Sequence, residues 1–346
     1  MLRDFAYALI TDTAKGFWVM PLRFLLCAGE ALFKAYLFVL LKGYECRIFA
    51  PYRPDAKVVS IGNLTLGGTG KTQICLMLAR LLEAESRKIA VLIRGYGVDE
   101  SRMLEEELPG VPVLIGRDRI KNSKRAFYEF GADTIVLDDG FQHYKLDRDL
   151  DIVLIDASNP FGNHRLIPRG ILREPISQLR RADIVIITKV DFGGGNLPRI
   201  YREIGKFVSR KKILEALYRP VSFSSLLKPG EKLGLDAISG KKICVLSSIA
   251  NPGYFKHKLN GLGPKIELEF TYPDHYDYKE SDLRRVIDDC VFFKVDLIVT
   301  TKKDAVKIRK LGISCADVPI LVFDVELDII KNKESLTDGL YRLYSR

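Results

Sequence analysis

This chain has few histidines and no closely spaced cysteines. Only 4 histidines occur in 346 residues, so a metal centre built from several histidines is not expected. The cysteines are scattered at positions 27, 46, 75, 244, 290 and 315, and none forms a Cys-x-x-Cys pair. This spacing is typical of reduced thiols in the cytoplasm, and it argues against a disulfide framework or a zinc site.

Acidic residues are outnumbered. Lys and Arg total 54 against 44 Asp and Glu, and the net charge of +10 suits an anionic partner such as a nucleotide, a nucleic acid or an acidic membrane surface. The aromatic-basic signature of RNA-binding proteins is missing, so we expect no nucleic-acid partner. No feature predicts a protein partner. The composition is otherwise that of a globular protein, without internal repeats or low-complexity tracts.

The N-terminal segment is apolar but lacks an uncharged run long enough to span a bilayer, which takes roughly eighteen residues. Its apolar stretches are interrupted by Arg23, Glu30, Lys34 and Lys42. A short hydrophobic region followed by a small-residue cleavage site, as in a signal peptide, is also missing. Residues 1–50 therefore predict amphipathic helices that lie on a membrane surface. A core helix of the soluble domain and a dimer face remain alternatives.

The most informative segment is a glycine-rich loop that ends in Gly-Lys-Thr. It follows the apolar run Val58–Ile61 and precedes a helix-like run. This order is typical of the phosphate-binding loop of nucleoside triphosphatases, in which backbone N–H groups and a helix N-terminus hold the phosphates. Lys71 is expected at the β- and γ-phosphates and the Thr72 hydroxyl at Mg²⁺. The generic loop begins with glycine where this chain has Thr65. The residues expected to bind the nucleotide are Thr65, Leu66, Gly67, Gly68, Thr69, Gly70, Lys71 and Thr72.

Apolar strands alternate with helices along most of the chain, which predicts an α/β fold with a parallel sheet of the P-loop NTPase type. A second, smaller α/β pattern follows a segment rich in proline, glycine and serine. We expect membrane-surface helices at 1–50, a P-loop domain at 51–218, a linker at 219–241, a smaller α/β domain at 242–326, and a C-terminal helix at 327–346 that packs back on the P-loop domain. The expected strands in the first domain are 58–61, 88–93, 112–115, 134–137, 151–155 and 183–188, with helices at 71–84 and 119–130 and a basic helix-like segment at 199–212.

Two acidic residues end the apolar strand Thr134–Leu137. Asp138 and Asp139 match the Walker B arrangement, in which a strand places a carboxylate beside the Mg²⁺ of the phosphate loop. Asp-Asp-Gly alone is also compatible with a simple turn. Together with the phosphate loop, the pair predicts a Mg²⁺ site made by Thr72, Asp138 and Asp139.

Thr188-Lys189-Val190-Asp191 supports an alternative function. GTPases of the signal-recognition class read guanine with Thr-Lys-x-Asp at a strand end. Such enzymes also carry Asp-x-x-Gly after the metal strand, and position 137 is Leu. A GTPase is therefore the second hypothesis. His275, between Asp274 and Tyr276, is compatible with a proton carrier or with a hydrogen-bonded loop residue.

Taken in order, these motifs resemble the tetraacyldisaccharide 4′-kinase family, the lipid A 4′-kinases of Gram-negative bacteria. The resemblance spans roughly residues 58–308, and the family shares the missing first glycine at Thr65. The matching segments are Gly62–Thr72, Arg94–Tyr96, Gly116–Arg119, Leu137–His143, Leu172–Pro175, Pro273–His275 and Thr301–Lys307.

The resemblance implies a reaction in which ATP, with Mg²⁺, phosphorylates the 4′-hydroxyl of tetraacylated glucosamine disaccharide 1-phosphate to give lipid IV-A. It also implies a peripheral enzyme at the cytoplasmic face of the bacterial inner membrane. By position, Lys71 and Asp139 would be catalytic, Asp99 would be the base, and His275 its partner across an interdomain cleft. The residues that would place the lipid head group are Asn63, Arg119, Gln142, His143, Arg173 and Glu174.

The chain departs from the family pattern at one place. The family has a long hairpin-like insert after Arg-Gly-Tyr, whereas here Asp99 follows Tyr96 almost directly. Ser101 also replaces the proline of the family's Asp-Glu-Pro segment. Both changes bear on the assignment of Asp99 as the base.

Overall fold

The structure is a computed structural model that describes residues 2–95, 98–312 and 318–345. Its strands are β1 (Lys57–Asn63), β2 (Ile89–Ile93), β3 (Val113–Ile115), β4 (Thr134–Asp138), β5 (Leu150–Asp156), β6 (Ile184–Thr188), β7 (Ile213–Ser225), β8 (Lys232–Leu233), β9 (Lys242–Ser247), β10 (Lys265–Thr271), β11 (Leu297–Thr301) and β12 (Ile320–Lys331). Its helices are α1 (Leu2–Ile10), α2 (Val19–Glu45), α3 (Lys71–Ala84), α4 (Val98–Glu107), α5 (Arg119–Tyr128), α6 (Val190–Gly193), α7 (Leu197–Ile204), α8 (Pro252–Asn260), α9 (Glu280–Phe292), α10 (Lys302–Arg309) and α11 (Lys333–Tyr344).

All strands of the described residues belong to one sheet. Its order is β10-β9-β11-β12-β7-β6-β5-β1-β4-β2-β3, with β8 on the side of β7. Neighbours are parallel from β3 to β7 and again from β12 to β10, and β7 and β12 pair antiparallel. We call the part from β1 to the start of β7 the first lobe and the part from β9 to β12 the second lobe. The predicted α/β fold with a mainly parallel sheet is confirmed.

The register of β7 makes the two lobes face each other. Its first residues, Ile213–Glu215, pair with β6 on one edge, and on its other edge β7 pairs with β12 from Glu215 to Ser225, with Phe223 opposite Phe323. Phe323 in turn pairs with Thr301, the last residue of β11. The second lobe is therefore displaced along β7 and its strands run back towards the first lobe. Because ligands bind at the carboxyl ends of parallel strands, the cleft between these two edges is where a site is expected.

Helices cover both faces of the first lobe, as its uniformly buried strands require. On one face, the apolar side of α3, including Ile74 and Leu78, packs with Leu336 of α11 in one core cluster. On the other face, Leu37 of α2 and Ile200 of α7 pack against β5 and β6. The parallel strands therefore stand rigidly between two layers of helix, with only their ends open.

Three predicted segments differ from the structure. The linker expected at 219–241 is in part the second half of β7, which continues to Ser225 because it pairs with β12. The C-terminal helix starts at Lys333 and not at 327, because β12 runs through Lys331. The basic helix-like segment at 199–212 is the short helix α7 followed by a turn at Arg210–Lys212.

Two helices at the cleft, α4 and α10, were not predicted. Both are rich in charge, so their apolar pattern is short. Ion pairs join them across the lobes: Lys302 Nζ lies 2.5 Å from Glu107 Oε1, and Arg309 Nη1 lies 3.2 Å from Glu106 Oε2. Glu106 and Glu107, at the end of α4, thus hold the second lobe against the first.

The N-terminal helix α2 presents one face to the protein and one to solvent. Glu30 is buried and accepts a hydrogen bond from the Leu166 backbone N–H at 3.0 Å, and Leu37 packs on the first lobe. By length and composition alone α2 could cross a bilayer. Its outer face carries exposed apolar side chains: Met20, Phe24, Leu25, Leu32, Tyr36, Phe38 and Val39.

Candidate active site

The glycine-rich loop joins β1 to α3, as predicted. Gly67 and Gly70 have φ values of +113° and +92°, in the left-handed region that favours glycine, and α3 begins at Lys71. A Cβ at Gly70 would lie 1.7 Å from the Tyr218 hydroxyl, so this position admits only glycine. The loop backbone is thereby free to approach phosphates at the N-terminus of an uncapped helix.

The pairing of Thr65 explains why the first glycine of the generic loop is missing. Thr65 forms an antiparallel bridge with Leu172. On either side, the Leu66 N–H donates to Ile171 O at 2.7 Å and the Arg173 N–H donates to Leu64 O at 2.7 Å. The loop therefore starts as extended backbone against a second segment, a conformation that a β-branched residue favours.

Lys71, Asp139 and Arg173 form one cluster behind the loop. Both Arg173 Nη atoms donate to Asp139, at 2.6 Å and 3.0 Å, and Lys71 Nζ lies 3.5 Å from the same carboxylate. Asn63 Oδ1 accepts from Lys71 at 3.3 Å and from Arg173 at 3.2 Å. Burial opposes ionisation of Asp139, but the two cations hold its pKa well below its usual range. Asp139 is thus a fixed anion that orients Lys71 and Arg173.

Asp138 differs from its neighbour because no cation of the described residues is within salt-bridge distance of it. Its carboxylate contacts the Cys75 thiol at 3.7 Å. Burial raises the pKa of Asp138 to about 6, and the nearby Glu100 and Asp139 carboxylates add to the rise. A buried carboxylate at a strand end, next to a phosphate loop, fits a divalent cation that Thr72 would also contact. Mg²⁺ needs few protein ligands when phosphates supply others, which suits the absence of a three-residue metal cluster among the described side chains.

Three buried polar atoms near the end of β4 lack a hydrogen-bond partner among the described residues. They are Arg119 Nη1, Gln142 Oε1 and His143 Nε2. Arg119 is tied down by its other Nη atom, which donates to Asp138 O at 2.8 Å, and Gln142 donates to Asn63 O at 3.0 Å. Burial, followed by the charge of Arg119, lowers the pKa of His143 to about 4. Unpaired buried donors and acceptors are costly, so these three atoms make this region a candidate place for a polar ligand.

Glu174 is not available to a ligand. Its side chain is fully buried and its two oxygens bind Tyr144 and Arg181. The predicted contact of Glu174 with the lipid head group is therefore wrong for this structure. Its network instead fixes the segment that carries Arg173.

The second lobe supplies the opposite wall. His275, with φ of +60°, has its Nε2 3.2 Å from Lys303 Nζ, 3.9 Å from Glu100 Oε1 and 3.8 Å from Asp274 Oδ2. Lys303 Nζ also lies 3.2 Å from Glu100 Oε1. Asp99 belongs to the first turn of α4, but its side chain lies outside the part of the chain that the structure describes. The described acidic partner of His275 from the first lobe is Glu100.

A cavity of about 660 Å³ is lined by residues of both walls. It is lined by the whole glycine loop from Thr65 to Thr72, by Asp138, Asp139 and Arg173, and by Glu100, His275 and Lys303. Asn63, Arg119, Gln142 and His143 do not line it and lie beside it, behind Asp138 and Arg173. Sequence reasoning missed Tyr218 and Tyr254 and assigned no role to Glu100 and Lys303, because these residues meet only through the pairing of β7 with β12.

The polar side chains of Thr188-Lys189-Val190-Asp191, the motif that suggested guanine binding, all bind other residues of the protein. Lys189 Nζ donates to Gly68 O at 3.0 Å and pairs with Asp156, and Thr188 donates to Thr69 O at 3.1 Å. Asp191 accepts from the Tyr254 hydroxyl at 2.9 Å and lies 2.5 Å from Lys258 Nζ. The first two residues support the phosphate loop, and the carboxylate that would read guanine is occupied.

Comparison with known proteins decides between the two hypotheses. The family model for tetraacyldisaccharide-1-P 4′-kinase matches residues 22–98 and 98–344. A tetraacyldisaccharide 4′-kinase of Anaeromyxobacter sp. (strain K) is 34% identical over 339 residues, covering 91% of this chain and 89% of the relative. One of Syntrophus aciditrophicus is 37% identical over 302 residues, covering 78% and 79%. The chain belongs to the tetraacyldisaccharide 4′-kinase family.

The family settles the class of reaction. The chain is a lipid A 4′-kinase, as the resemblance implied, and the GTPase hypothesis is less supported. A crystal structure of LpxK from Aquifex aeolicus in complex with ATP superposes with a TM-score of 0.72 at 25% identity, covering 93% of this chain and 99% of that one. The family match divides at residue 98, which is where the sequence lacks the family's insert.

Proposed function

We propose that the cleft between the lobes transfers the γ-phosphoryl group of ATP to the 4′-hydroxyl of tetraacylated glucosamine disaccharide 1-phosphate, giving lipid IV-A. One observation carries the proposal: the glycine loop with Lys71 and the His275–Lys303–Glu100 group line the same cavity from opposite sides. Phosphoryl transfer needs the donor and the acceptor in line and little covalent help from the protein. Two facing walls supply that positioning.

The first wall holds the nucleotide. Lys71 neutralises the β- and γ-phosphates, and the backbone of Gly67–Gly70 surrounds them. Thr72 and Asp138 would hold Mg²⁺, which supplies positive charge to the phosphate oxygens. Asp139 was expected at the metal too, but both its oxygens accept from Arg173. We therefore assign Asp139 the role of keeping Lys71 and Arg173 aimed at the phosphates.

The second wall, together with the start of α4 from the first lobe, manages the proton of the acceptor hydroxyl. A base must lie within hydrogen-bond reach of that hydroxyl. Asp99 is the base that the family resemblance implies, and Glu100 is the neighbouring carboxylate that contacts His275 and Lys303. We propose Asp99 as the base with His275 as its partner, and Glu100 as the group that holds Lys303 at the cleft.

Arg119, Gln142 and His143 are proposed to receive the polar head of the lipid. Their unpaired atoms are two donor-capable groups and one amide oxygen, which match the hydroxyls and the phosphate of a sugar phosphate. Tyr144, next along the chain, stacks on Tyr44 near the end of α2 with ring centroids 5.4 Å apart. The C-terminal end of α2 therefore lies next to the segment that carries Gln142 and His143 of the proposed head-group site.

The exposed face of α2 is proposed to lie in the cytoplasmic face of the inner membrane. The buried Glu30 and Leu37 fasten the helix to the first lobe, which supports an in-plane helix over a membrane span. Acyl chains of the substrate would then remain in the membrane while the disaccharide reaches the cleft.

Transfer of label tests the function. Purified protein is mixed with [γ-³²P]ATP or [γ-³²P]GTP and the disaccharide 1-phosphate in detergent, and the lipid is separated by chromatography. We expect labelled lipid with ATP and no label with Lys71→Met. Hydrolysis of GTP without labelled lipid would instead favour the GTPase.

A further inference from the structure

Thr188-Lys189-Val190-Asp191 matches the guanine-reading pattern Thr-Lys-x-Asp, although the chain belongs to a kinase family with an ATP-bound relative. The first two residues are used: Thr188 and Lys189 both bind carbonyls of the glycine loop. These contacts place the motif directly beside the glycine loop of the nucleotide site. The remaining question is what Asp191 does there.

Both oxygens of Asp191 are taken by helix α8 of the second lobe. Oδ1 accepts from the Tyr254 hydroxyl at 2.9 Å, and Oδ2 lies 2.5 Å from Lys258 Nζ. His257 Nε2 is 3.9 Å from Oδ2. The Tyr254 hydroxyl also accepts from the Tyr218 N–H at 3.1 Å, which fixes its direction.

The lining of the cavity indicates which of these residues would face a bound nucleotide. Tyr254, Lys258 and Lys189 line it, whereas Asp191 is not among its described lining residues. Tyr254 is only 6% exposed, and the Lys258 side chain is 13% exposed. The Asp191 side chain is 21% exposed, and its carboxylate reaches the cavity only through the two lining residues that it contacts, Tyr254 and Lys258.

Guanine presents two adjacent donors, N1–H and the 2-amino group, to a carboxylate that can only accept. Adenine lacks the amino group and has an acceptor at N1. A free carboxylate at this place would favour guanine and repel adenine, whereas an occupied carboxylate gives guanine no partner for its donors. Donors left unpaired in a buried site are a strong basis for rejection.

We propose that Tyr254 and Lys258 set the base preference of the nucleotide site by occupying both oxygens of Asp191. The proposal rests on the proposed function, since it concerns the nucleotide site of that cleft. Lys258 and Tyr254 are specificity-determining residues, and Asp191 is the guanine reader that they disable.

Binding of non-hydrolysable ATP and GTP analogues tests the proposal without lipid. The ratio of the two dissociation constants is measured by calorimetry for the wild type, Lys258→Met, Lys258→Met/Tyr254→Phe and the triple variant that adds Asp191→Asn to this pair. Lys256→Met is the matched control, because Lys256 lies on the same helix and pairs with Glu269 on the surface. Thermal melting checks that each variant is folded.

We expect the double variant to shift the ratio towards GTP by about tenfold or more. Asp191→Asn should abolish the shift, and Lys256→Met should leave the wild-type ratio. An unchanged ratio in a folded double variant that still binds ATP, or a shift that persists in the triple variant, would overturn the proposal. Failure of the proposed function would appear separately, as wild-type protein that binds ATP but does not label the lipid.

Discussion

The Arg173 guanidinium donates hydrogen bonds to both carboxylate oxygens of Asp139, at 2.6 Å and 3.0 Å. Asp139 itself has φ of +52°, so the strand end is held in an unusual backbone conformation that this pair stabilises. The contact joins the chain at the end of β4, which carries Asp138 and Asp139, to the segment that carries Arg173. We therefore expect Arg173 to connect the nucleotide site with the proposed head-group site.

Arg173→Lys is expected to lower the transfer rate about 10- to 100-fold, since an ammonium cannot replace the paired contact of a guanidinium. Steady-state labelling of the lipid measures the effect. The matched control is Arg125→Lys, because Arg125 pairs with Glu129 on an exposed helix face. Equal losses of transfer rate in the two variants would contradict a specific role for the contact between Arg173 and Asp139.

The base assignment predicts different pH–rate profiles for three variants. Asp99→Ala should remove the acidic limb of the profile, because the proton acceptor is gone. His275→Asn should lower the rate and displace that limb, whereas Glu100→Gln should lower the rate and keep it. A retained acidic limb in Asp99→Ala together with its loss in Glu100→Gln would move the base from Asp99 to Glu100.

His143 predicts a pH dependence of stability. Its pKa is about 4 in the folded protein, chiefly through burial, and 6.5 is its ordinary value. The unfolded chain therefore binds a proton between about pH 6.5 and 4 that the folded protein does not, so stability falls as the pH drops through this window.

Urea unfolding at pH 7 and pH 5 measures the effect of His143. His143→Gln should show a smaller drop in the unfolding midpoint than the wild type. The more exposed His164 gives the control, and His164→Gln should retain the wild-type drop. A drop that is the same in all three proteins would contradict the buried neutral state of His143.

The membrane proposal predicts that polar substitutions on the outer face of α2 release the protein from membranes. Phe24→Ser/Leu32→Ser removes two side chains that are 76% and 75% exposed, so folding should be little affected. Sedimentation with vesicles of bacterial phospholipid measures binding. Phe292→Ser, which removes an equally exposed phenylalanine from α9, should leave binding unchanged.

The local part of the site followed from the sequence, and the part made by distant segments did not. The loop before Lys71 and the strand before Asp138 are contiguous patterns with one structural solution. Glu100, Lys303 and Tyr218 come together only because β7 joins β6 on one edge to β12 on the other, and no sequence pattern predicts that pairing. The linker expected at 219–241 concealed that strand, since its proline and serines suggested irregular chain.

Single residues show the same limit. Glu174 matched the family motif beside Arg173, yet Tyr144 and Arg181 enclose it, and neither contact has a signature in the sequence. Asp191 completed a guanine-reading motif, but its partners lie more than sixty residues away on α8. In both cases the residue type indicated an available carboxylate, and only its surroundings show that the carboxylate is taken.

The most direct test of the two-wall cleft is single-turnover phosphorylation of the lipid, with the position of the new phosphate determined by ³¹P NMR. We predict a product phosphorylated at the 4′ position, with transfer reduced about 10²- to 10³-fold or more by Lys71→Met in the first lobe. His275→Asn in the second lobe should also slow the transfer step while ATP binding is retained. A phosphate at another position, or full transfer rates in His275→Asn, would contradict the account.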